Sequence, residues 1–277
     1  MIDLHLHTTA FDGRLTPTQL VSRVAAAGIT IMSVTDHDTV AGLPEARRAA
    51  DAAAITLIDG IEVTAVHEGR DLHILGYFFD VADTTLASFL AAQRERRVER
   101  VREIGERLAA LGAAVDVTAL LATAARAPGT SVGRPVLARA LVAADHVASV
   151  QDAFDRYLAT GRPAFVPRVG PTPHDVLHVI HRARGIASLA HPGVTRQPEV
   201  MRALVGAGLD AIEVHHSDHS PETQQDLHAF ATRHALLETG GSDFHGDEDR
   251  QRPLGGVALP AVDFARLEAS VRARHAQ

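Results

Sequence analysis

Short apolar runs rich in β-branched residues alternate with stretches of helical periodicity along most of this chain. The strand-like runs are MIDLHLH, GITIMSVTDHD, ITLIDGIEV, LHILGYFF, GIASLAHPG, DAIEVHHSDH and ALLETGGSDFH. The helical stretches are TPTQLVSRVAAAG, PEARRAADAAA, TPHDVLHVIHRARG, PEVMRALVGAG and SPETQQDLHAFATRH. Several of these begin at Thr, Ser or Pro and end at Gly, as helices do. The alternation predicts parallel βα units, and therefore an α/β protein built as a βα barrel.

One long segment departs from this alternation. Between LHILGYFFD and GRPAFVPR the helical stretches TLASFLAAQRERRVERVREIGERLAALG, SVGRPVLARALVAA and SVQDAFDRYLATG follow one another with no strand pattern between them. We therefore predict a helical insertion (cap) over residues 81–165, and a barrel formed by residues 1–80 and 166–277. The run RERRVERVRE within the insertion is interpreted as a solvated helix face carrying ion pairs between positions i and i+4.

Composition narrows the class of protein. With 277 residues and 46% hydrophobic content the chain can bury a full core. No apolar run reaches the length of about 18 residues needed to span a bilayer, and no basic stretch precedes a hydrophobic one near the N-terminus. We therefore expect a cytoplasmic protein that does not bind membranes.

Two residue types are missing, and each absence excludes a chemistry. There is no cysteine, which rules out disulfides, thiolate metal sites and cysteine nucleophiles. All 27 basic residues are arginine, so a phosphate-binding loop with its lysine and Schiff-base chemistry are both excluded. Any metal must be held by His, Asp and Glu, and any phosphate by Arg. The net charge of −7 also argues against binding to duplex nucleic acid.

Histidines and carboxylates collect where the predicted strands end. His5 and His7 are separated by one residue, so on a strand they share a face. In a βα barrel such strand ends meet at the rim where active sites form. Burying many ionisable groups there is costly without a counter-charge, which divalent cations provide. The candidate ligands are His5, His7, Asp12, His37, Glu62, His73, His191, Asp243 and His245. Without sulfur ligands they suit Mn²⁺, Fe²⁺ or Zn²⁺, and nine ligands are too many for one ion.

The ordered segments DLHLHT, TDHDTVAG, GIEVT, LHILGY, AHPG and GSDFH resemble the PHP family, which is named for polymerase and histidinol phosphatase. The resemblance implies a distorted seven-stranded (β/α)7 barrel with two or three divalent metal ions, Mn²⁺ foremost. It implies that His5, His7, Glu62 and Asp243 hold one metal and that Glu62, His73 and His191 hold a second. Asp12, His37 and His245 would hold a third, with Asp12 standing where some members have His.

The insertion narrows the resemblance to stand-alone PHP phosphoesterases that act on nucleotides. Compared with that subgroup, this chain has Phe11 where serine is common and Val136 where histidine is frequent. These two departures bear on substrate preference. The expected reaction is hydrolysis of phosphate monoesters by metal-activated hydroxide. The substrates would be AMP, 3′,5′-bisphosphonucleosides or the 5′ ends of short oligonucleotides, and no obligate protein partner is evident.

Some residues are expected to contact substrate or to act in catalysis. Glu62, Asp243, His191 and Arg134 form the predicted catalytic set. Arg134 is the first candidate to grip the phosphate, and Arg168 is the second. His215, His216 and His219 follow the strand DAIEV and are expected near the mouth, with His219 as the candidate substrate contact. Aromatic residues that could stack on a base are Phe11, Phe154 and Tyr157.

Three other functions stay open. The first is a small-molecule phosphatase of the histidinol phosphate type within the same family. The second is a non-catalytic metal-binding PHP module, although the complete ligand set and the absence of an attached polymerase argue against it. The third is a metal-dependent amidohydrolase, which also uses a His-x-His strand but generally needs a lysine that this chain lacks.

Overall fold

Seven strands lie side by side in the same order as along the chain. The computed structural model describes residues 1–126, 129–195, 198–246 and 252–275. Within them the strands are β1 (Ile2–Leu6), β2 (Ile31–Val34), β3 (Thr56–His67), β4 (Arg70–Tyr77), β5 (Ile186–Leu189), β6 (Ala211–His216) and β7 (Leu237–Gly241). The pairs β1–β2, β2–β3, β5–β6 and β6–β7 are parallel. These pairs are the parallel units that the alternation predicts.

The sheet curls until its two edges almost meet. Beyond β7, the backbone N–H of Asp243 donates to the His5 carbonyl at 2.9 Å, and the His7 N–H donates to the Phe244 carbonyl at 3.0 Å. The approach needs glycine at position 241, because a Cβ there would lie 2.4 Å from the backbone nitrogen of His5. The result is a nearly closed seven-stranded barrel, and the predicted barrel is confirmed.

One strand runs against the others. β4 pairs antiparallel with both β3 and β5. The turn between β3 and β4 consists of Glu68 and Gly69, which have φ angles of 49° and 74°. A two-residue turn of this kind joins antiparallel strands, whereas a parallel neighbour needs a long crossover. The parallel units that the alternation predicts therefore do not include β4, and its reversed direction distorts the barrel.

Helices cover the outside of the barrel and fill the long connection. They are α1 (Pro17–Ala26), α2 (Leu43–Ala52), α3 (Thr84–Ala110), α4 (Val117–Ala125), α5 (Arg134–Ala143), α6 (Val150–Ala153), α7 (Pro173–Arg182), α8 (Pro192–Thr195), α9 (Pro198–Gly206), α10 (Pro221–His234) and α11 (Ala261–His275). The π-helical turn Phe154–Leu158 follows α6. None of the helices in the described ranges is both long and apolar enough to cross a membrane.

The 27-residue helix α3 joins two hydrophobic clusters. Near its start, Leu86 and Leu90 belong to the main core of the barrel. Nearer its end, Ile104 and Leu108 belong to a second cluster, which α5 and the π-helical turn complete. The helical character of the connection agrees with the predicted insertion. Its division from the barrel at residues 81 and 165 stays a prediction, because α3 belongs to both cores.

The charged run on α3 is only partly a solvated face. Glu103 and Arg107 form an exposed i to i+4 pair, as predicted. Arg97 and Arg100, in contrast, are buried, with 4% and 9% of their surface exposed. The interpretation of this run as solvated is therefore wrong for these two arginines. They face inward because α3 lies over the rim of the barrel, where Asp38 and the carbonyl of Val166 accept their hydrogen bonds.

A partly buried carboxylate outside the rim, Asp210, contributes to the stability of the fold in a way that can be measured. Asp210 accepts hydrogen bonds from His181 Nε2 and from the Ala187 N–H, both at 2.8 Å, and from Arg274 on α11. Burial raises the pKa of Asp210, but these hydrogen bonds outweigh it and hold the pKa below its usual value of 3.8. A lowered carboxyl pKa stabilises the fold above the unfolded-state pKa, and the stabilisation is lost as pH falls through the folded-state pKa.

We therefore expect Asp210→Asn to lower the free energy of unfolding at neutral pH by about 1 to 3 kcal/mol. The difference from wild type should narrow as the pH falls below the usual pKa of 3.8. Urea unfolding of both metal-free proteins across this pH range measures it. Asp51→Asn, on the exposed side of α2, is the matched control. A difference that does not change with pH would contradict the assignment.

Candidate metal centre and substrate cavity

Glu62 lies at the centre of the barrel rim, surrounded by imidazoles. It is carried by β3 and is almost fully buried. Histidine nitrogens lie close to both carboxylate oxygens: those of His5 at 3.3 Å, His7 at 3.4 Å and His37 at 3.3 Å from Oε2, and those of His73 at 2.7 Å and His191 at 3.2 Å from Oε1. The two oxygens thus face two different groups of histidines. This is the arrangement of a carboxylate that bridges two cations.

A second carboxylate group adjoins the first. Asp243 Oδ1 lies 3.1 Å from His7 Nε2 and 3.4 Å from His245 Nδ1. Asp12 Oδ1 lies 3.3 Å from His245 Nε2, and the rings of His7 and His245 stack with centroids 4.0 Å apart. His7, Asp12, His37 and His245 together place ligand atoms within 4.8 Å of one another. The structure therefore brings all nine predicted ligands together at one rim.

The candidate ligand atoms are arranged for binding metal ions and not for hydrogen bonds with one another. Several buried atoms have no hydrogen-bond partner, including both ring nitrogens of His7, Asp12 Oδ1, His37 Nδ1 and His73 Nδ1. His7 Nε2 and Asp243 Oδ1 are only 3.1 Å apart, yet they are not aligned for a hydrogen bond. Buried polar groups are almost always paired, so a set of close but unpaired donors requires an explanation. Convergence on shared cations supplies that explanation.

The pKa shifts agree with this fit. Burial raises the pKa of Glu62, but the nearby histidines outweigh it and hold the pKa well below its usual range. The pKa of Asp243 is lowered in the same way, mainly by His5 and His245 against the effect of burial. Burial also lowers the pKa of His37 well below its usual value. Ionised carboxylates and a neutral imidazole are the forms that bind metal ions.

Other histidines carry protons when no cation is bound. Burial lowers the pKa of His245, but Asp12 and Asp243 outweigh it and raise the pKa to about 9. The pKa of His5 is raised well above its usual value by Glu213, Asp243 and Glu62, against the effect of burial. These protons supply the positive charge that the buried carboxylates need. Metal binding must therefore release them.

Left-handed backbone marks the loops that present these ligands. Asp38 has a φ of 55°, His191 of 32° and Asp243 of 55°. A non-glycine residue in a sparsely populated region of this kind costs about 1 to 3 kcal/mol, and such positions cluster at functional sites. All three follow strands at the rim, while the six other non-glycine residues with positive φ in the described ranges lie elsewhere in the fold.

One residue of the site, Glu213, was missed by the sequence reasoning, and a second, His216, lies near the mouth as expected. Glu213, on β6, accepts a hydrogen bond from His5 Nδ1 at 2.9 Å and from the backbone N–H of His191 at 2.7 Å. His216 Nε2 lies 3.5 Å from Asp243 Oδ2. Residues three apart face opposite sides of a regular strand, but the pairing of β6 shifts between Glu213 and His215. This bulge brings Glu213 and His216 to the same side, which no strict alternation predicts.

The neighbouring histidines take different positions from those expected. Both ring nitrogens of His219 have hydrogen-bond partners. Nδ1 donates to the Val214 carbonyl at 2.9 Å, and Nε2 accepts from the Gly193 N–H at 3.1 Å. His219 holds the loop after His191 in place, and no free ring nitrogen supports the predicted substrate contact. His215 lies near Glu238, on the side of the sheet away from the rim, so its expected place at the mouth is wrong.

A cavity of about 220 Å³ opens above the candidate metal ligands. Four arginines line it together with Phe11 and Phe154: Arg97, Arg134, Arg168 and Arg252. Arg134 Nη2 lies 3.3 Å from Asp71 Oδ2, and Arg168 Nε lies 3.1 Å from Asp71 Oδ1. Both predicted phosphate-binding arginines therefore lie in the cavity, and one carboxylate holds them side by side.

Arg97 is a third cavity arginine, and the sequence reasoning did not select it. Its Nε donates to Asp38 Oδ2 at 2.6 Å and its Nη2 to Thr64 Oγ1 at 3.0 Å. The guanidinium also lies 4.6 Å from the ring centre of Phe11. Close by, burial and the neighbouring Arg97 lower the pKa of Arg168 to about 9. The cavity thus places four guanidinium groups, each paired with a carboxylate, beside the candidate metal ligands.

Comparisons with known proteins agree with this site. The PHP domain family model matches residues 3–159. The 5′-3′ exoribonuclease Rnm of Salmonella typhimurium is 38% identical over 252 residues, which are 88% of this chain and 84% of that protein. The 3′,5′-nucleoside bisphosphate phosphatase of Chromobacterium violaceum is 34% identical over 270 residues, or 94% and 93% of the two chains.

A solved structure from Bifidobacterium adolescentis, described as a metal-dependent phosphoesterase, matches the fold with a TM-score of 0.88. The two proteins are 32% identical, and the match covers 97% of this chain and 95% of the other. The resemblance drawn from the sequence motifs is therefore confirmed by two independent kinds of similarity. This chain belongs to the PHP domain family.

Proposed function

We propose that this protein is a metal-dependent phosphoesterase that hydrolyses phosphate monoesters of nucleotides or of short oligonucleotides. The observation that carries the proposal is Glu62, whose two oxygens face two groups of histidines beneath a cavity lined by arginines. The named activities of the two relatives, an exoribonuclease and a nucleoside bisphosphate phosphatase, are both phosphoester hydrolyses.

Three ligand groups are proposed, for two to three Mn²⁺, Fe²⁺ or Zn²⁺ ions. His5 and His7 adjoin Glu62 Oε2, and Asp243 Oδ1 lies 3.5 Å from His5 Nε2, while His73 and His191 adjoin Oε1. Asp12, His37 and His245 form the third group. Divalent ions at such positions activate water and neutralise the charge of a phosphoryl group. The unpaired Nε2 of His216, beside Asp243, is a further donor available to this centre.

The chain's own side chains bind and orient the substrate. Arg134 and Arg168 offer planar, permanently charged donors that suit a phosphate group. Asp71 fixes both guanidinium groups, so little conformational freedom is lost when an anion arrives. Phe11 and Phe154 supply apolar faces in the same cavity, and aromatic faces stack on bases of any sequence. A cavity of about 220 Å³ favours a mononucleotide or a strand end over a duplex.

A phosphate-release screen of the purified Mn²⁺-loaded protein tests the proposal. The substrates are AMP, adenosine 3′,5′-bisphosphate, a 5′-phosphorylated trinucleotide and histidinol phosphate. We expect release from at least one nucleotide substrate, and its loss on addition of a chelator. Elemental analysis of the active protein should find two to three equivalents of metal.

Three outcomes would overturn parts of the proposal. Cleavage of histidinol phosphate orders of magnitude faster than every nucleotide would contradict the substrate class while leaving the metal chemistry in place. One equivalent of metal or fewer in the active protein would contradict the shared Glu62 site. Metal binding with no ester hydrolysis of any kind would favour a non-catalytic module.

A further inference from the structure

A second group of histidine and carboxylate side chains lies on the outer face of the barrel. His215 on β6, Glu238 on β7 and Asp263 in the first turn of α11 place ligand atoms within 4.8 Å of one another. His228 on α10, which is mostly exposed, lies beside this group with Nδ1 2.7 Å from Glu238 Oε1. Two neighbouring strands and the last helix thus meet at one point. None of these residues lines the catalytic cavity.

The bulge in β6 explains why His215 is available here. It turns His216 toward Asp243 at the rim, and the adjacent His215 toward the opposite side of the sheet. There, His215 Nε2 is buried and has no hydrogen-bond partner. The nearest carboxylate oxygen, Glu238 Oε2, lies 3.8 Å away, which is too far for a hydrogen bond. His215 Nε2 therefore faces the two carboxylates without forming a hydrogen bond to either of them.

The charges in this group are poorly balanced. Glu238 and Asp263 are both buried, with 7% and 8% of their surface exposed. The guanidinium near Asp263 belongs to Arg266, which pairs at 3.1 Å but is itself mostly exposed. An exposed pair of this kind contributes little. Two almost fully buried carboxylates thus lie beside an imidazole nitrogen that has no hydrogen-bond partner, which is an arrangement suited to a cation.

We propose that His215, Glu238 and Asp263 bind a Zn²⁺ ion. Nitrogen and carboxylate ligands without sulfur suit this ion. The ion would tie α11 to β6 and β7. It stands apart from the catalytic centre, so this inference does not rest on the proposed phosphoesterase activity.

The first test compares zinc content between variants of the full chain. Wild type, Asp263→Asn and His215→Gln are stripped of metal, equilibrated at one buffered free Zn²⁺ concentration and analysed for bound zinc. We expect each variant to hold one equivalent less than wild type. Asp263→Asn should keep its Mn²⁺-dependent phosphate release. His178→Gln, on the exposed face of α7, is the matched control and should hold as much zinc as wild type.

A second measurement separates this site from the catalytic centre and guards against misfolding. In a Glu62→Ala background, zinc should still raise the thermal unfolding midpoint, and Asp263→Asn should abolish that rise. Circular dichroism confirms that each variant is folded, and His215→Gln replaces Asp263→Asn if the latter is not. Equal zinc content in wild type and in both folded variants would overturn the proposal. So would a zinc-dependent rise in midpoint that survives both substitutions.

Discussion

Glu62→Ala is expected to lower kcat for phosphate release by roughly 10³-fold, because losing metal-based charge stabilisation costs several kcal/mol. This carboxylate adjoins five imidazoles, more than any other acidic side chain of the rim within the described residues. Its removal takes one ligand from two proposed sites at once. The metal content should therefore fall together with the rate.

Two further variants sharpen this prediction. Glu62→Gln keeps the size of the side chain but removes its charge, so it should also lose metal. Glu106→Ala, on the exposed side of α3, serves as the control and should keep both metal and rate. Rates come from phosphate release with Mn²⁺, and metal content comes from elemental analysis. Wild-type turnover in Glu62→Ala would contradict the proposal that Glu62 is shared by two metal sites.

Arg134→Ala is expected to lower kcat/KM while metal content stays at the wild-type level. The fall in kcat/KM should correspond to a loss of about 2 to 4 kcal/mol of transition-state stabilisation. The guanidinium lies in the cavity but lies beside Asp71 and not beside any candidate metal ligand. We therefore expect Arg134 to bind the anion and not to hold the cations. Arg134→Lys keeps the charge but loses the planar fork, so it should recover only part of the loss.

The control for this prediction is Arg102→Ala, at an exposed position on α3. It removes the same charge from the same region of the chain, so a general electrostatic effect would appear in both variants. An equal fall in kcat/KM for Arg102→Ala would point to such an effect. Loss of metal in Arg134→Ala would instead indicate that Arg134 supports the centre structurally.

Two local rules account for the convergence of the candidate ligands that follow the parallel strands. Alternation along a strand places His5 and His7 on one face, and the ends of parallel strands meet at one rim. Each rule uses only the residues of one short segment, so a wrong prediction for one strand does not affect the predicted ligands of another. The nine ligands accordingly come together as expected.

The remaining parts of the site depend on departures from those rules. Glu213 and His216 share a face only because β6 contains a bulge, and nothing in the run DAIEVHH distinguishes a bulged strand from a regular one. Arg97 lies in a run of charges that resembles any solvated helix. It is buried because α3 crosses the rim, and that depends on contacts between residues far apart in sequence.

The continuity of α3 has a consequence for how the active site opens. A helix of 27 residues is about 40 Å long, and it holds Leu86 in the barrel core and Leu108 in the second cluster. A hinged lid needs a few residues that change their backbone angles, and an unbroken helix rooted in both cores has none at that junction. We therefore expect any change in the width of the mouth to come from outside α3 and not from a hinge within this helix.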